Sequence, residues 1–341
     1  MFKINKRSSI FLLSVILSVL FIATGCGNNT ASNSSGQNKA AGDSQASATA
    51  PAPSAEANSD VRKIKHAMGE TEIKGTPERV VVLTNEGTEA LLALGVKPIG
   101  AVKSWMGEPW YDHIKAQMDG VTVVGDEVQP NIELISSLKP DLIIGSKVRQ
   151  EKVYQQLASI APTVFSETFS GNWKTNFSLY AEALGKKEDG QKLLDEFDKS
   201  IASAKQKLGD KTSMKVSMVR FLPEGARIYY KNSFSGELLD QLGFNRPESQ
   251  QKDKLADDVT KERIPEMDGD ILFYFVWEDH AGEVKGKKTA EEWMKDPLWQ
   301  NLSVAKQNKV HEVSDAIWNT SGGILSAKLM LDELVKLVEG I

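Results

Sequence analysis

The sequence predicts an α/β protein of two Rossmann-like lobes with mainly parallel sheets, joined by one long rigid α-helix. Three observations predict it. Short β-branched runs alternate with amphipathic stretches in residues 61–172 and again in 210–341, the pattern of parallel sheets covered by helices. Between them, 173–209 has almost no strand signal and contains a helical pattern over 188–208. A similar phrase also occurs once in each half, TEALLALG at 88–95 and SGELLDQLG at 235–243. Glu89 and Glu237 each stand six residues before a glycine.

The first half opens with RVVVL, where Val80–Leu83 is a β-branched run suited to a buried strand. A helix over Glu86–Leu94 follows, stopped by Gly95 and then Pro98. VTVV (121–124), DLIIG (141–145) and PTVF (162–165) supply further strands, and IELISSLKP (132–140) a helix that ends before its proline. Trp173–Leu184 reads as one helix and Glu188–Leu208 as another. In the second, Leu193, Leu194, Phe197, Ile201, Ala204 and Leu208 recur at helical spacing. That rod, roughly 30 Å long, is either a strut between two lobes or a helix wrapped on a single domain. In the second half KVSMVRFL (215–222), RIYY (227–230), ILFYFVW (271–277) and KVHEV (309–313) read as strands. TAEEWM (289–294) opens a helix with Thr289 as its cap and Glu292 in the reciprocal position, and Gly323–Val338 closes the chain.

The N-terminus is a different kind of sequence. Lys3, Lys6 and Arg7 precede an apolar run from Ile10 to Ala23, interrupted by Ser14 and Ser18. This is the layout of an export signal, too short to span a bilayer. It stops at A-T-G-C, and Cys26 is the only cysteine. The pattern resembles the lipobox of bacterial lipoproteins, with Ala23 where Leu is commonest. The resemblance implies cleavage after residue 25 and a lipid on Cys26. Residues 26–60 are Asn, Ser, Ala, Gly, Gln, Thr and Pro for the most part, with no aromatic side chain. Such a segment builds no core and serves as a flexible tether with an end-to-end distance of roughly 30 Å.

Of 41 Lys and Arg, three lie in the leader, so 38 basic residues face 46 acidic ones in the remainder, a formal charge of -8. An acidic body without a basic block argues against nucleic acid as a partner. No P-loop, G-x-G-x-x-G turn, G-x-S-x-G elbow or cysteine cluster occurs, and Glu278-Asp279-His280 reads as a charged loop. An enzyme is therefore not expected. Ligands of doubly wound sheets bind beyond the C-terminal ends of strands. Those ends carry Lys103, Trp105 and Trp110; Lys147 and Arg149; Arg220; Tyr230 and Lys231; Trp277; and Trp318 with Asn319. Cationic and aromatic residues recur there in an acidic protein, a lining suited to a bulky anionic ligand with apolar parts.

In this order, the pieces resemble bacterial substrate-binding lipoproteins for iron–siderophore uptake, the class with two lobes on a single rigid helix. The resemblance rests on VRKIKHAMGETEIKGTPERVVVL (61–83), the E-x-L-L-x-L-G helix, NIELISSLKPDLII (131–144) and DPLWQNLSVAKQNKVHEVSDAIW (296–318). It implies a monomer, anchored on the outer face of the membrane of a Gram-positive cell, that delivers a ferric siderophore to an ABC permease dimer with its ATPase. It also implies that Glu89 and Glu237 are exposed and dock into arginine pockets of that permease. No cofactor is expected, since iron travels inside its ligand. VRQEKVYQQL (148–157) resembles the segment of relatives that take hydroxamate and citrate-hydroxamate complexes. Arg149 and Arg220 would then bind ligand oxygens, Lys103 and Lys147 add positive field, and Trp105, Tyr230, Trp277 and Trp318 pack on carbon arms. Catecholate complexes, haem and cobalamin are the alternative cargoes. A two-domain metal- or nucleotide-dependent enzyme is the alternative class.

Overall fold

The computed structural model describes residues 61–169, 171–278 and 283–340; the leader, Cys26 and the tether lie outside the described residues. A hairpin comes first, β1 (Val61–His66) against β2 (Gly69–Lys74), antiparallel and separate from the two main sheets. The first main sheet is all parallel. Its strands are β3 (Val80–Val82), β4 (Gly100–Ala101), β5 (Thr122–Val123), β6 (Leu142–Ser146) and β7 (Thr163–Ser166), in the order β5-β4-β3-β6-β7. Helix α1 (Asn85–Ala93) follows β3, α2 (Ile132–Ser137) precedes β6, and α3 (Lys147–Gln150) with α4 (Tyr154–Ala158) precede β7. The valines of β3 are wholly buried. Each face of a covered parallel strand meets apolar neighbours, so the run does not alternate.

The strand-poor stretch forms α5 (Trp173–Ala183) and α6 (Lys187–Leu208). On α6 the buried residues are Gly190, Leu194, Phe197, Ile201, Ala204 and Leu208, one stripe at helical spacing. The stripe packs into an apolar core that runs without a break from Val80 and Leu91 through Phe177 and Phe197 to Val216, Phe273 and Ile324. The connecting helix is thus one wall of a shared core as well as a rod.

The second sheet is mixed. Its strands are β8 (Val216–Leu222), β9 (Gly225–Tyr229), β10 (Ala256–Val259), β11 (Ile271–Val276) and β12 (Val310–Glu312), ordered β10-β9-β8-β11-β12. β8, β11 and β12 are parallel, whereas β9 folds back antiparallel on β8 and β10 on β9. Helix α7 (Phe234–Leu242) follows β9; α8 (Lys285–Met294), α9 (Pro297–Gln300) and α10 (Ser303–Lys306) lie between β11 and β12; α11 (Ile324–Glu339) ends the fold. Helix α8 begins before Thr289, contrary to the predicted cap. Gly286 N–H donates to Trp277 O at 3.1 Å and anchors the first turn, and Thr289 Oγ1 donates instead to Pro223 O.

The repeated phrase does give two similar helices. Thr84 and Ser233 cap α1 and α7, each side chain accepting from the N–H of a glycine three residues on. Gly95 and Gly243 follow them at φ 72° and 86°, left-handed positions where glycine carries no Cβ penalty.

Candidate functional site

A cavity of 390 Å³ lies where the C-terminal ends of the first sheet's strands face the second sheet. Every strand of the first sheet reaches it through the loop or helical turn that follows: β3 through Thr84 and Glu86, β4 through Trp105 and Met106, β5 through Glu127, β6 through Arg149 and β7 through Phe169. The second sheet supplies Arg220 from β8, Arg227 and Tyr229 from β9, Trp277 and Glu278 after β11, and Asn319 to Gly322 before α11. Leu255 completes the wall.

Arg149 lies between two rings, with its guanidinium carbon 4.4 Å from the Phe169 centroid and 5.5 Å from that of Trp105. Its Nε stands 3.5 Å from Glu127 Oε2 and is buried without a hydrogen-bond partner. The guanidinium is thus held by aromatic contact and by charge, and its fork of donors stays available to a ligand. Glu127 is buried, and its Oε1 accepts from Asn85 N and Nδ2 at 2.7 and 2.8 Å. Burial pushes this carboxyl up, while the Asn85 donors and Arg149 hold it down. Gln150 ties the loops together: Oε1 accepts from Ser146 N, and Nε2 donates to Leu83 O and Glu127 O. One buried amide thereby fixes the loops after β3, β5 and β6.

Across the cavity, Arg220 and Arg227 are directly opposed in the antiparallel register of β8 and β9. Opposed residues share a face, and like charges there repel. Each arginine has its own carboxylate: Arg220 Nη2 donates to Asp315 Oδ2 at 2.5 Å, and Arg227 Nε to Asp258 Oδ1 at 2.8 Å. Burial works against the Arg220 charge, but the Asp315 carboxylate and Tyr229 together outweigh it and hold the guanidinium pKa above its ordinary value. Asn319 Nδ2 donates to Asp315 Oδ1 and orients that carboxylate.

The cavity therefore gathers Trp105, Arg149, Arg220, Trp277 and Asn319 from the residues picked out in the sequence. The others stand elsewhere. Lys147 pairs with Glu167 at 2.7 Å, and neither it nor half-buried Lys103 lines the cavity. Trp110 is buried in the core beside Tyr111. Tyr230 is wholly buried, its hydroxyl donating to Asp257 at 3.0 Å. The pleat turns successive side chains to opposite faces, so Tyr229 faces the cavity and Tyr230 does not. Trp318 is also wholly buried, packed on Phe273 with Nε1 donating to Glu333 at 2.6 Å. It lies in a π-helical turn (Ala316–Thr320), and that turn gives the cavity to Asn319.

Glu89 requires the largest correction. It was expected to be exposed, and it is wholly buried, with Oε1 2.6 Å from His113 Nε2 and Oε2 accepting from Ser326 N and Oγ. Helix α11 covers α1, so this carboxylate has no route to a docking partner. Glu237 is half-buried, and its Oε2 lacks a hydrogen-bond partner. Asp279 and His280 lie outside the described residues.

Sequence reasoning missed Glu127, Phe169, Arg227 and Tyr229. The first two follow β5 and β7 by a few residues and were open to the same rule. Arg227 and Tyr229 lie on an antiparallel strand, whose orientation no local pattern reveals. Among the described residues, no group of three or more His, Cys, Asp and Glu is placed to hold a metal ion.

Two α/β lobes on a connecting helix, with a cavity walled by both, define a solute-binding protein of the single-helix class. The chain belongs to the periplasmic binding protein family, whose profile matches residues 80–316. It is 54% identical over 286 residues to the probable siderophore-binding lipoprotein YfiY of Bacillus subtilis (strain 168), covering 81% of this chain and 87% of that one. It is 30% identical over 332 residues to the Fe(3+)-citrate-binding protein YfmC of the same organism, covering 96% of each. Staphylococcus aureus SirA, solved in complex with staphyloferrin B, superposes with a TM-score of 0.77 at 39% identity, covering 82% of this chain and 98% of SirA.

Proposed function

We propose that this protein captures a ferric siderophore outside the cell membrane and delivers it to an ABC permease with its ATPase, and that the cargo is of the hydroxamate or citrate-hydroxamate type. The observation that carries the reading is that both lobes bring an arginine, Arg149 and Arg220, to one aromatic-walled cavity. Guanidinium forks bind carboxylate and hydroxamate oxygens through paired charge-assisted bonds. Trp105, Phe169 and Trp277 give the carbon arms apolar surface. The iron keeps the coordination shell of its own ligand. The names of the relatives support a siderophore as the cargo: YfiY is described as siderophore-binding, and SirA was solved with staphyloferrin B.

On this reading Cys26 carries the lipid, residues 26–60 are the tether, and 61–172 and 210–341 are the lobes that share the cargo. Glu237, which is only half-buried, is the docking carboxylate of the second lobe. Glu89, being buried, is read as a structural tie rather than as a docking carboxylate.

Tryptophan fluorescence titrated with iron-loaded hydroxamate, citrate-hydroxamate, catecholate and citrate complexes, and with haem and cobalamin, tests the cargo. The expected result is tightest quenching by a citrate-hydroxamate or hydroxamate complex. Tightest binding of haem or cobalamin would overturn the reading. For docking, Glu237→Ala keeps its affinity in solution and loses uptake in cells; undiminished uptake would remove Glu237 from that role.

A further inference from the structure

The cavity wall is not simply basic. Its three arginines, Arg149, Arg220 and Arg227, share it with three acidic residues, Glu86, Glu127 and Glu278. Of these, Glu127 is the most tightly placed. Asn85 fixes Oε1 through two hydrogen bonds, the Gln150 amide holds its backbone carbonyl at 2.6 Å, and Oε2 faces Arg149 at 3.5 Å. The carboxylate cannot swing away without breaking those bonds. An anionic group that reaches the free donors of Arg149 therefore comes close to Glu127, in a partly buried setting where salt screens little.

We propose that Glu127 sets the charge class of the cargo, admitting ferric complexes of low net charge and disfavouring strongly anionic tris-catecholates. This rests on the siderophore reading above and goes further by assigning the selectivity to one side chain. A ligand carboxylate or hydroxamate oxygen draws on Arg149 while the rest of a near-neutral complex pays little for the neighbouring carboxylate. A tris-catecholate, with six anionic oxygens around ferric ion, places surplus negative charge against it whichever way it turns. Glu278 on the opposite wall acts in the same sense.

The test is Glu127→Gln, whose side-chain oxygen still accepts from Asn85 and so keeps the loop in place. Dissociation constants are measured for a ferric citrate-hydroxamate and a ferric tris-catecholate siderophore on the same preparation, with the active fraction read from stoichiometric titration. The expected result is a shift of at least about tenfold in the ratio of the two constants toward the tris-catecholate, which is about 1.4 kcal/mol. Glu278→Gln should shift the ratio in the same direction and guards against a folding defect peculiar to the first variant. If both variants weaken the two complexes equally, or leave the ratio unchanged, Glu127 is structural and the inference is wrong. If the parent binds neither complex, the siderophore reading fails and takes this inference with it.

Discussion

The Glu89 carboxylate accepts hydrogen bonds from the Ser326 backbone N–H and hydroxyl at 2.9 and 3.0 Å, tying α1 to the first turn of α11. A carboxylate at a helix N-terminus meets unsatisfied N–H groups and the positive end of the dipole. Chain positions 237 residues apart are thereby joined in the core.

Removing that carboxylate leaves the buried Ser326 N–H without its acceptor and the half-buried His113 without its partner. Glu89→Ala is therefore expected to cost about 3 kcal/mol of stability, measured by urea denaturation. Gly323→Ala tests the same joint from the other side. A Cβ there would stand 2.6 Å from Glu89 Oε2 and 2.7 Å from Glu89 Cβ, so a loss of about 1–3 kcal/mol from overpacking is expected. A Glu89→Ala protein as stable as the parent would show that the joint carries no load.

The two cavity arginines are expected to differ when truncated. Arg149→Ala lowers cargo affinity about tenfold to a hundredfold, equivalent to a charged bond of about 1.5–3 kcal/mol, and costs less stability than the Arg220 change, because the Asn85 donors still satisfy the Glu127 carboxylate that Arg149 leaves behind. Arg220→Ala loses similar affinity and also strands Asp315, which is only 5% exposed. A further loss of about 3–5 kcal/mol in stability follows from leaving that buried charge unpaired. Calorimetric titration and thermal melts on both variants separate the two effects.

Glu237 should be a stability liability with a defined pH dependence. Burial raises its carboxyl above the ordinary value of 4.5, with Lys174 opposing and Asp240 adding to the rise. A folded-state value above the unfolded one means that the ionised form is the disfavoured one in the fold. The penalty is fully present at neutral pH and is relieved as pH falls through the raised value toward the ordinary one. Glu237→Gln is expected to melt higher than the parent at pH 7 and equal to it in the acid range below about 4. Equal melting temperatures at both pH values would contradict the assigned shift.

Closure around the cargo is expected to be small. One helix joins the lobes, its buried stripe belongs to a core continuous with both, and the Glu89–Ser326 bonds add a second tie. Hinge closure needs residues that absorb large backbone rotations, and this connector is continuous helix. Solution scattering with and without cargo should give nearly superimposable curves. A large contraction on loading would mean that the core splits.

Local pattern carried far in this chain. The alternation of short valine- and isoleucine-rich runs with helices, and the apolar stripe of α6, are periodic signals that a residue's neighbours in sequence suffice to generate. The loops after strands were also legible as the place to look, because a parallel sheet directs every such loop to one edge. What failed was orientation at the scale of a single residue. Tyr230 and Trp318 were each one position from a cavity residue, Tyr229 and Asn319, because a pleat and a π-helical turn decide which neighbour points inward.

The sequence by itself determined two β/α halves, a long amphipathic connector and twin capped helices with a glutamate six residues before a glycine. Only the tertiary structure decided that one of those glutamates is buried under α11 while the other remains half-exposed. It also decided that β9 runs back along β8, setting Arg227 opposite Arg220. Such outcomes depend on which distant element covers a given face, and short-range periodicity holds no record of that.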